Sequence, residues 1–278
     1  MKIAFWSNAM EWCSVSANLA AISVAIAIRY PYTIVMLENH LCVHGLGKAY
    51  NDGSCAGMPA EAGTNYYDGF GMEGLLRKIY RREYNIGTLK SHLSEIIKNR
   101  LYYIPQSRVI HNDLFDYEFE HCINPLFYLL DNNADVCFID TASSSLSTKN
   151  ILDESDLIVV NLCQKTSVIE DFFLRYSSMI PKAVFIINDY DPRNILSCKQ
   201  ISKQYDVPIE NIIVMPTCKR YREAYRGGYV HQFISRNIFC QKEDPDYLFM
   251  QMVKKAAVTI IRNVERNAKQ KELNSCGI

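Results

Sequence analysis

Residues Ser7 to Ser14 stand where a phosphate-binding loop is often found, between a short apolar run and an apolar helical segment. Such loops bind phosphate through converging backbone N–H groups, and glycine permits the close approach that this requires. The segment reads SNAMEWCS and contains neither glycine nor lysine. Glu11 would bring a negative charge to the phosphate, and Trp12 adds bulk without a cation. The sequence therefore predicts at most weak anion binding, through the free amides and hydroxyls of residues 14–16.

Four other side chains have metal-binding or nucleophilic chemistry. His40, Cys42 and His44 alternate along one segment and would point to one side of an extended chain. A structural zinc site normally takes four ligands from recognisable pairs, so an ordinary loop is the favoured interpretation. Cys13, at the start of a helical pattern, is either a reactive thiol of lowered pKa or a packed thiol, and we favour the packed thiol.

The overall composition excludes several classes of protein. The chain has 278 residues, of which 49% are hydrophobic, so it can bury a large core. Thirty basic and thirty acidic residues give a formal net charge of zero. No general attraction to nucleic acid or anionic membrane is predicted, and any such binding has to be local.

The cysteines and the first residues bear on the compartment. The ten cysteines are scattered and form no C-x-x-C pair, which is typical of reduced thiols rather than of a disulfide framework. The apolar run Val24 to Ile28 is far shorter than a membrane span, and Ser7, Asn8 and Glu11 interrupt any signal-peptide core. We expect an unprocessed cytoplasmic protein that does not insert into a membrane.

Apolar runs alternate with helical patterns along the whole chain. Strands are predicted at Lys2–Trp6, 33–37, 101–104, 135–140, 157–161, 183–188 and 212–215, and helices at about 16–29, 73–82, 89–98, 117–130, 168–177, 194–205 and 246–267. This alternation predicts a three-layer α/β/α fold with a mostly parallel central sheet. No linker is evident, so residues 1–278 are predicted to form a single domain. The glycine-rich segment 42–72 is predicted to be a long loop, either a lid or an interface.

Several features in a fixed order resemble the ParA/MinD-type P-loop NTPases, in which a loop K-G-G-x-G-K-T-T precedes A-N-L-A. The matching segments are Lys2–Ser7 followed by Ala17–Ala20, the Walker B-like strand Cys137–Thr141, Asp156–Asn161 with Gln164, Ile187–Asn188, Ile213–Pro216, and Ala224–Val230. Together they cover nearly the whole chain. The resemblance implies the fold of the family far more strongly than its activity.

The resemblance also implies which residues occupy the nucleotide site. When Ala17–Ala20 is placed on A-N-L-A, no gap is needed. Ser7 then replaces the lysine that signals dimerisation, Trp12 replaces the phosphate-binding lysine, and Cys13 replaces the magnesium-binding threonine. The degenerate nucleotide site implied in this way consists of Glu11, Trp12, Cys13, Ser14, Asn188 and Pro216, the last two bordering the adenine. For Asn188 and Pro216 the favoured interpretation is structural, as a polar strand end and a helix-start proline.

The hydrolytic residues of the family are also incomplete. Asp140 matches the Walker B acid that holds magnesium, and a strand-end carboxylate that caps a turn is an equal alternative. Glu38 and His40 stand where the family usually has Asp-x-Asp, so His40 replaces the second carboxylate, which helps the attacking water. Glu38 is the catalytic candidate for aiding water only if the protein is an ATPase with an altered loop. Ser143 and Ser144 replace the usual Pro-Gly. Because phosphoryl transfer needs metal, cations and nucleophile together, fast ATP hydrolysis is not expected.

We therefore expect a ParA/MinD-like protein that acts in localisation or scaffolding, in the manner of TadZ-type pilus-assembly proteins. ATP or ADP with magnesium is its doubtful cofactor, and a homodimer with protein partners is implied by the resemblance. One alternative is an active ATPase with a divergent loop, used to position DNA or protein complexes. Another is a DNA-binding protein, which depends only on the basic cluster Lys219 to Arg226, and a solvated helix face is the favoured interpretation of that cluster.

Overall fold

The computed structural model describes residues 1–9, 13–42, 45–50, 69–106, 111–141 and 145–275. Its strands are β1 (Lys2–Trp6), β2 (Ile34–Glu38), β3 (Ser94–Ile97), β4 (Leu101–Tyr103), β5 (Val136–Asp140), β6 (Leu157–Cys163), β7 (Ala183–Asn188) and β8 (Ile212–Met215). Its helices are α1 (Val15–Arg29), α2 (Met72–Tyr80), α3 (Asn112–Asn133), α4 (Leu146–Glu154), α5 (Thr166–Arg175), α6 (Cys198–Tyr205), α7 (Lys219–Gly227), α8 (Val230–Asn237) and α9 (Tyr247–Ser275).

These eight strands form one sheet in the order β3-β4-β2-β5-β1-β6-β7-β8. Every neighbouring pair is parallel except β3 with β4, which is antiparallel at the edge of the sheet. The predicted α/β fold with a mostly parallel sheet is therefore confirmed. Because parallel strands share one direction, the carboxyl ends of β1, β2 and β5 to β8 lie along the same edge.

Both faces of the sheet are covered, which explains why its strands are apolar throughout. In β1, Ile3 and Phe5 contribute to one core, while Ala4 and Trp6 contribute to the core on the opposite face, and all four are buried. Residues of α1, α8 and α9 cover the first face, and residues of α2, α3 and α5 cover the second. A strand buried on both sides reads as a continuous apolar run.

The predicted strands are reproduced closely, but one predicted helix is wrong. Residues 89–98 do not form a helix: a 3₁₀ helix spans Ile86–His92, and Ser94–Ile97 forms strand β3. The chain reverses at Asn99, which has φ 58°, and β3 then pairs with β4. The apolar spacing fits a helix, but the cross-strand pairing decides the structure. Helix α3 also begins at Asn112, before the predicted start, and α9 continues to Ser275.

Part of the glycine-rich segment 42–72 is described. Residues Leu46–Tyr50 form a buried 3₁₀ helix, and α2 begins at Met72, whereas residues 51–68 lie outside the described residues. The role of this segment as a lid or an interface stays a prediction. Among the helices of the described chain, none combines the length and hydropathy of a membrane span.

Candidate functional site

The candidate site lies at the carboxyl ends of three neighbouring strands. β5 lies between β1 and β2, and Asp140 pairs in register with Phe5 on one side and with Glu38 on the other. The first residues beyond each strand therefore meet at this edge of the sheet. Open α/β sheets bind ligands at this edge. The site has two parts, which we call the loop end (residues 7–9 and 13–18 with the ends of β6 and β7) and the acid pocket (Glu38, His40 and Asp140).

The loop end begins with a turn directed into the protein. Ser7 is fully buried, and its hydroxyl accepts a hydrogen bond of 3.0 Å from the Ala9 amide. The Asn8 side chain donates to the Val168 carbonyl and to Asp171 Oδ2, each at 2.9 Å. These contacts join the turn to α5. Ser7, at the position of the dimer-signalling lysine in the resemblance, has no exposed surface from which to reach a second chain.

Helix α1 starts at Val15, after a residue in an unusual conformation. Its N-cap Ser14 has φ 48° and ψ 38°, the left-handed region, and its side chain makes no capping hydrogen bond. Cys13 is fully buried, and its contact with Cys163, together with burial, raises the pKa of its thiol. Cys13 is therefore a packed thiol, as favoured. Glu11 and Trp12 lie outside the described residues, so their effect on phosphate remains a prediction.

Three asparagines join the loop end to the sheet. Asn18 Nδ2 donates to Asn161 Oδ1 at 2.7 Å and to Asn188 Oδ1 at 2.6 Å. Asn188 Nδ2 donates in turn to the carbonyls of Cys13, at 2.7 Å, and Leu162, at 3.2 Å. All three asparagines are buried. Buried amides are retained when their hydrogen bonds are made within the protein, and here they hold the start of α1 against the ends of β6 and β7.

The two residues implied to border an adenine have different surroundings. The oxygen and the nitrogen of the Asn188 side-chain amide both make hydrogen bonds within the protein, and the side chain is buried. Pro216 is half-buried and directly follows Met215, the residue that pairs with Asn188 in the sheet. The structure brings Asn188 and Pro216 to neighbouring strand ends. The Asn188 amide is engaged as the structural interpretation requires, whereas a role for Pro216 beside a base stays a prediction.

The acid pocket contains two carboxylates with a histidine between them. His40 Nε2 lies 3.3 Å from Asp140 Oδ1, and His40 Nδ1 lies 4.0 Å from Glu38 Oε2. Glu38 and Asp140 are fully buried, and 7% of His40 is exposed. Burial alone would lower the pKa of His40, but the charges of Asp140 and Glu38 raise it well above its usual value. Without a metal, His40 is therefore the cation of the pocket.

Contacts from two other segments of the chain hold the Glu38 carboxylate. The Tyr103 hydroxyl donates to Oε1 at 2.5 Å, and the Leu46 amide donates to Oε2 at 2.8 Å. Gly45 packs so closely that a Cβ added to it would lie 2.2 Å from Oε2. Only glycine allows this approach of the backbone. The orientation of Glu38 is therefore set by its surroundings, and its proposed role in aiding water stays a prediction.

The donor set can be compared with the needs of magnesium. Mg²⁺ prefers oxygen ligands in octahedral geometry, usually with several waters and the phosphates of a nucleotide. Asp140 offers such oxygens, but the position of the family's threonine is taken by the buried thiol of Cys13, and an imidazole lies 3.3 Å from the Asp140 carboxylate. Thiol and imidazole groups do not favour magnesium. The residues therefore do not fit the magnesium–nucleotide site that the resemblance implies.

Sequence reasoning missed the partner of His40. His40 lies in a loop, as the favoured interpretation has it, but its ring is buried between two carboxylates, which the sequence did not indicate, while Cys42 is exposed. His44 lies outside the described residues. The signal that the sequence offered is only the placement of residue 40 just beyond a strand, because the neighbour of that strand is known from the structure alone. The asparagine network was missed for the same reason, since its members come from separate segments.

The basic cluster on α7 is largely engaged by acidic residues. Arg220 lies 2.6 Å from Asp246, and Arg222 lies 2.6 Å from Asp189. Tyr221 and Ala224 of the same helix are buried in the protein. The cluster is thus one face of an amphipathic helix, as favoured, and two of its three arginines already have carboxylate partners.

Comparisons with known proteins agree with this fold. No protein-family model matches the sequence, and no curated protein sequence matches it. A ParA family ATPase from Chlorobium tepidum TLS is 12% identical, with a TM-score of 0.66 over 92% of this chain and 98% of that chain. MinD in a MinC:MinD cell division complex from Aquifex aeolicus is 14% identical, with a TM-score of 0.64 over 94% and 95% of the two chains.

A third solved structure carries a nucleotide. The septum site-determining protein MinD from Pyrococcus horikoshii OT3, complexed with Mg-ADP, is 14% identical, with a TM-score of 0.61 over 98% of this chain and 97% of that chain. At such identities the likeness establishes the fold and leaves the activity open. The chain has the ParA/MinD type of P-loop NTPase fold.

Proposed function

We propose that this chain is a degenerate ParA/MinD-like protein that acts in localisation or scaffolding, with weak or no ATP binding and little hydrolysis. The observation that carries the proposal is the closed loop end. The Cys13 carbonyl accepts a hydrogen bond from Asn188, and the Cys13 thiol is packed in the core. Groups that would face a nucleotide in the resemblance are used by the protein itself.

The acid pocket supports the same proposal from the hydrolytic side. Asp140, the residue that matches the magnesium-holding acid, has the His40 imidazole 3.3 Å away. Hydrolysis of a phosphoanhydride needs a positioned metal, a cation on the phosphates and an oriented water. The sequence supplies no lysine in residues 7–14, so this loop offers no side-chain cation to the phosphates.

The partners of the protein follow from the same proposal. A homodimer with protein partners, in a cytoplasmic setting, is proposed from the family resemblance, and the Aquifex structure contains MinD together with MinC. A role beside pilus-assembly machinery, as in TadZ-type proteins, is the finer form of the proposal. Because Ser7 is buried at the position of the dimer-signalling lysine, any dimer would form without that contact.

Isothermal titration with ATP and magnesium tests the proposal. We expect no binding in the low-micromolar range for ATP or ADP. The Pyrococcus horikoshii MinD, whose structure holds Mg-ADP, serves as the positive control in the same buffer. Low-micromolar binding with one nucleotide per chain would reject the proposal.

A second candidate function, an ATPase with an altered loop that positions DNA or protein complexes, is favoured by one observation. Both oxygens of the buried Asp140 carboxylate lack hydrogen-bond partners within the described part of the chain, as a metal-binding carboxylate would. Phosphate release from ATP, measured for the wild type and for Asp140→Ala, tests it. Turnover that this substitution abolishes would favour the ATPase over the scaffold.

A further inference from the structure

The acid pocket contains buried polar atoms that lack partners. Within the described residues, His40 Nε2, Asp140 Oδ1 and Asp140 Oδ2 make no hydrogen bond, and the contact of 3.3 Å between His40 and Asp140 is an ion pair without hydrogen-bond alignment. Asp140 is fully buried, and only 7% of the surface of His40 is exposed. A buried polar atom without a hydrogen-bond partner is costly, so native proteins usually give it a protein partner, an ordered water or a metal.

The three side chains of the pocket converge on one point. One ligand atom from each of Glu38, His40 and Asp140 can be chosen so that all lie within 4.8 Å of one another. Two ligands that are each 2.0–2.1 Å from a tetrahedral metal lie about 3.3 Å apart, by simple geometry. His40 Nε2 and Asp140 Oδ1 have that separation. A metal between these atoms would give each of them a partner.

We propose that Glu38, His40 and Asp140 bind a first-row divalent transition-metal ion directly, without a nucleotide. One imidazole nitrogen and two carboxylates suit manganese, iron, cobalt or zinc better than magnesium, which prefers oxygen ligands alone. The two carboxylate charges balance the charge of the ion. Water completes its coordination. This inference does not depend on the proposed function, because it concerns the pocket and not the loop end.

Residues around the pocket hold the ligands in place. Tyr103 and the Leu46 amide each donate a hydrogen bond to Glu38, and such outer contacts orient metal-binding carboxylates. The Cys42 amide approaches His40 Nδ1 at 3.4 Å. When Nε2 binds a metal, the single proton of the neutral ring sits on Nδ1. Nδ1 is also protonated in the imidazolium form, so the Cys42 amide does not donate to it in either state. If the ring begins as imidazolium, its second proton leaves to solvent.

The test is a titration of the full chain with Mn²⁺ after treatment with a chelator, in the absence of nucleotide. The electron paramagnetic resonance signal of free Mn²⁺ counts the bound ions. We expect one ion per chain, and at least 100-fold weaker binding of Mg²⁺ in competition. A parallel titration with Co²⁺ reports the ligands, since its visible bands should lack a thiolate charge-transfer band if no cysteine takes part.

Variants distinguish the pocket from other sites. Asp140→Asn keeps the shape of the side chain and removes a carboxylate that accepts no hydrogen bond from the described residues. We expect it to weaken Mn²⁺ binding at least 100-fold, and His40→Gln to do the same. Asp153→Asn and His121→Asn change exposed residues of the same types and should leave binding unchanged.

Three results would overturn the inference. They are no binding of Mn²⁺ or Co²⁺ by the folded wild type, equal binding by wild type and Asp140→Asn, and retention of metal only when ATP is present. The circular dichroism spectrum of each variant verifies that it is folded. If a variant does not fold, the Co²⁺ spectrum of the wild type still decides, because bands from cysteine ligands alone would contradict the proposal. The two proposals fail by different results. Tight nucleotide binding would contradict the proposed function, and the absence of metal binding to the nucleotide-free protein would contradict the metal site.

Discussion

The loop end and the acid pocket lie on the same edge of the sheet but differ in how their polar groups are satisfied. At the loop end, Asn18, Asn161 and Asn188 bond to one another and to the Cys13 carbonyl. In the acid pocket, Asp140 has two buried oxygens without hydrogen-bond partners in the described part of the chain. Among the described residues, the polar groups of the first region therefore satisfy one another, whereas those of the second leave two carboxylate oxygens for the cation that we propose.

The first prediction breaks the closed region. Asn18→Ala removes the donor to Asn161 and Asn188 and leaves two buried carbonyl oxygens without it. Each unsatisfied buried group costs about 1–3 kcal/mol, so the loss of two should lower the free energy of unfolding by about 2–6 kcal/mol. Urea denaturation measures the change. Asn132→Ala, at an exposed position, is the matched control. A loss below about 1 kcal/mol would mean that the network does not hold α1 to the sheet.

The second prediction disturbs the acid pocket alone. Gly45→Ala would place a Cβ 2.2 Å from Glu38 Oε2, so the loop or the carboxylate must move. Overpacking of this kind costs about 1–3 kcal/mol. Gly87→Ala, where the nearest atom is 3.3 Å away at an exposed site, is the control and should cost less. Equal losses in the two variants would contradict the tight packing of Gly45 on Glu38.

The third prediction contrasts two buried histidines. Burial together with the charge of Lys78 lowers the pKa of His92 to about 4, whereas the charges of Asp140 and Glu38 raise the pKa of His40. In the unfolded chain His92 has its usual pKa of 6.5, so as the pH falls it is protonated there before it is protonated in the folded protein. Stability is therefore lost between about pH 6.5 and about pH 4. The free energy of unfolding that His92 contributes, and that is lost over this interval, is on the order of 1 kcal/mol after allowance for solvent screening.

Urea denaturation at a series of pH values measures that loss. His92→Gln should flatten the pH dependence of the unfolding free energy over this interval, and His121→Gln, at an exposed position, should leave it as in the wild type. An unchanged slope in the His92 variant would contradict a neutral His92 in the folded protein.

The smallest effect is expected on α7. Arg222→Gln breaks a half-exposed ion pair with Asp189 and should change the free energy of unfolding by less than about 1 kcal/mol. Because Arg220 and Arg222 already have carboxylate partners, duplex DNA should not bind measurably at physiological salt. Fluorescence anisotropy with labelled DNA checks this. Salt-dependent binding that is lost in Arg220→Gln, Arg222→Gln and Arg226→Gln would contradict it.

Much of the fold was predictable because buried parallel strands carry their own signal. The runs at Lys2–Trp6, Ala183–Asn188 and Ile212–Met215 are strands with the predicted bounds. The helix predicted at residues 89–98 is wrong because the apolar spacing there suits a helix, whereas pairing with β4 makes Ser94–Ile97 a strand. Local pattern decides the first group, and contacts distant in sequence decide the second.

The candidate site was predictable only in part. The family resemblance identified Asp140, Glu38 and Asn188 as residues of the nucleotide edge. The structure brings Glu38 and Asp140 to neighbouring strand ends and places Asn188 on the same edge, with β1 and β6 between its strand and that of Asp140. The pairing of His40 with Asp140 depends on β2 lying beside β5, which the order of strands along the chain does not reveal. The hydrogen bonds of Asn18 likewise join segments more than 140 residues apart.

The most direct test of the account is a crystal structure grown with Mn²⁺ and a non-hydrolysable ATP analogue, with an anomalous difference map. The account predicts a manganese peak among Glu38, His40 and Asp140, and no triphosphate over residues 7–14. A triphosphate seated at the start of α1, with the metal bound to its phosphates, would contradict it.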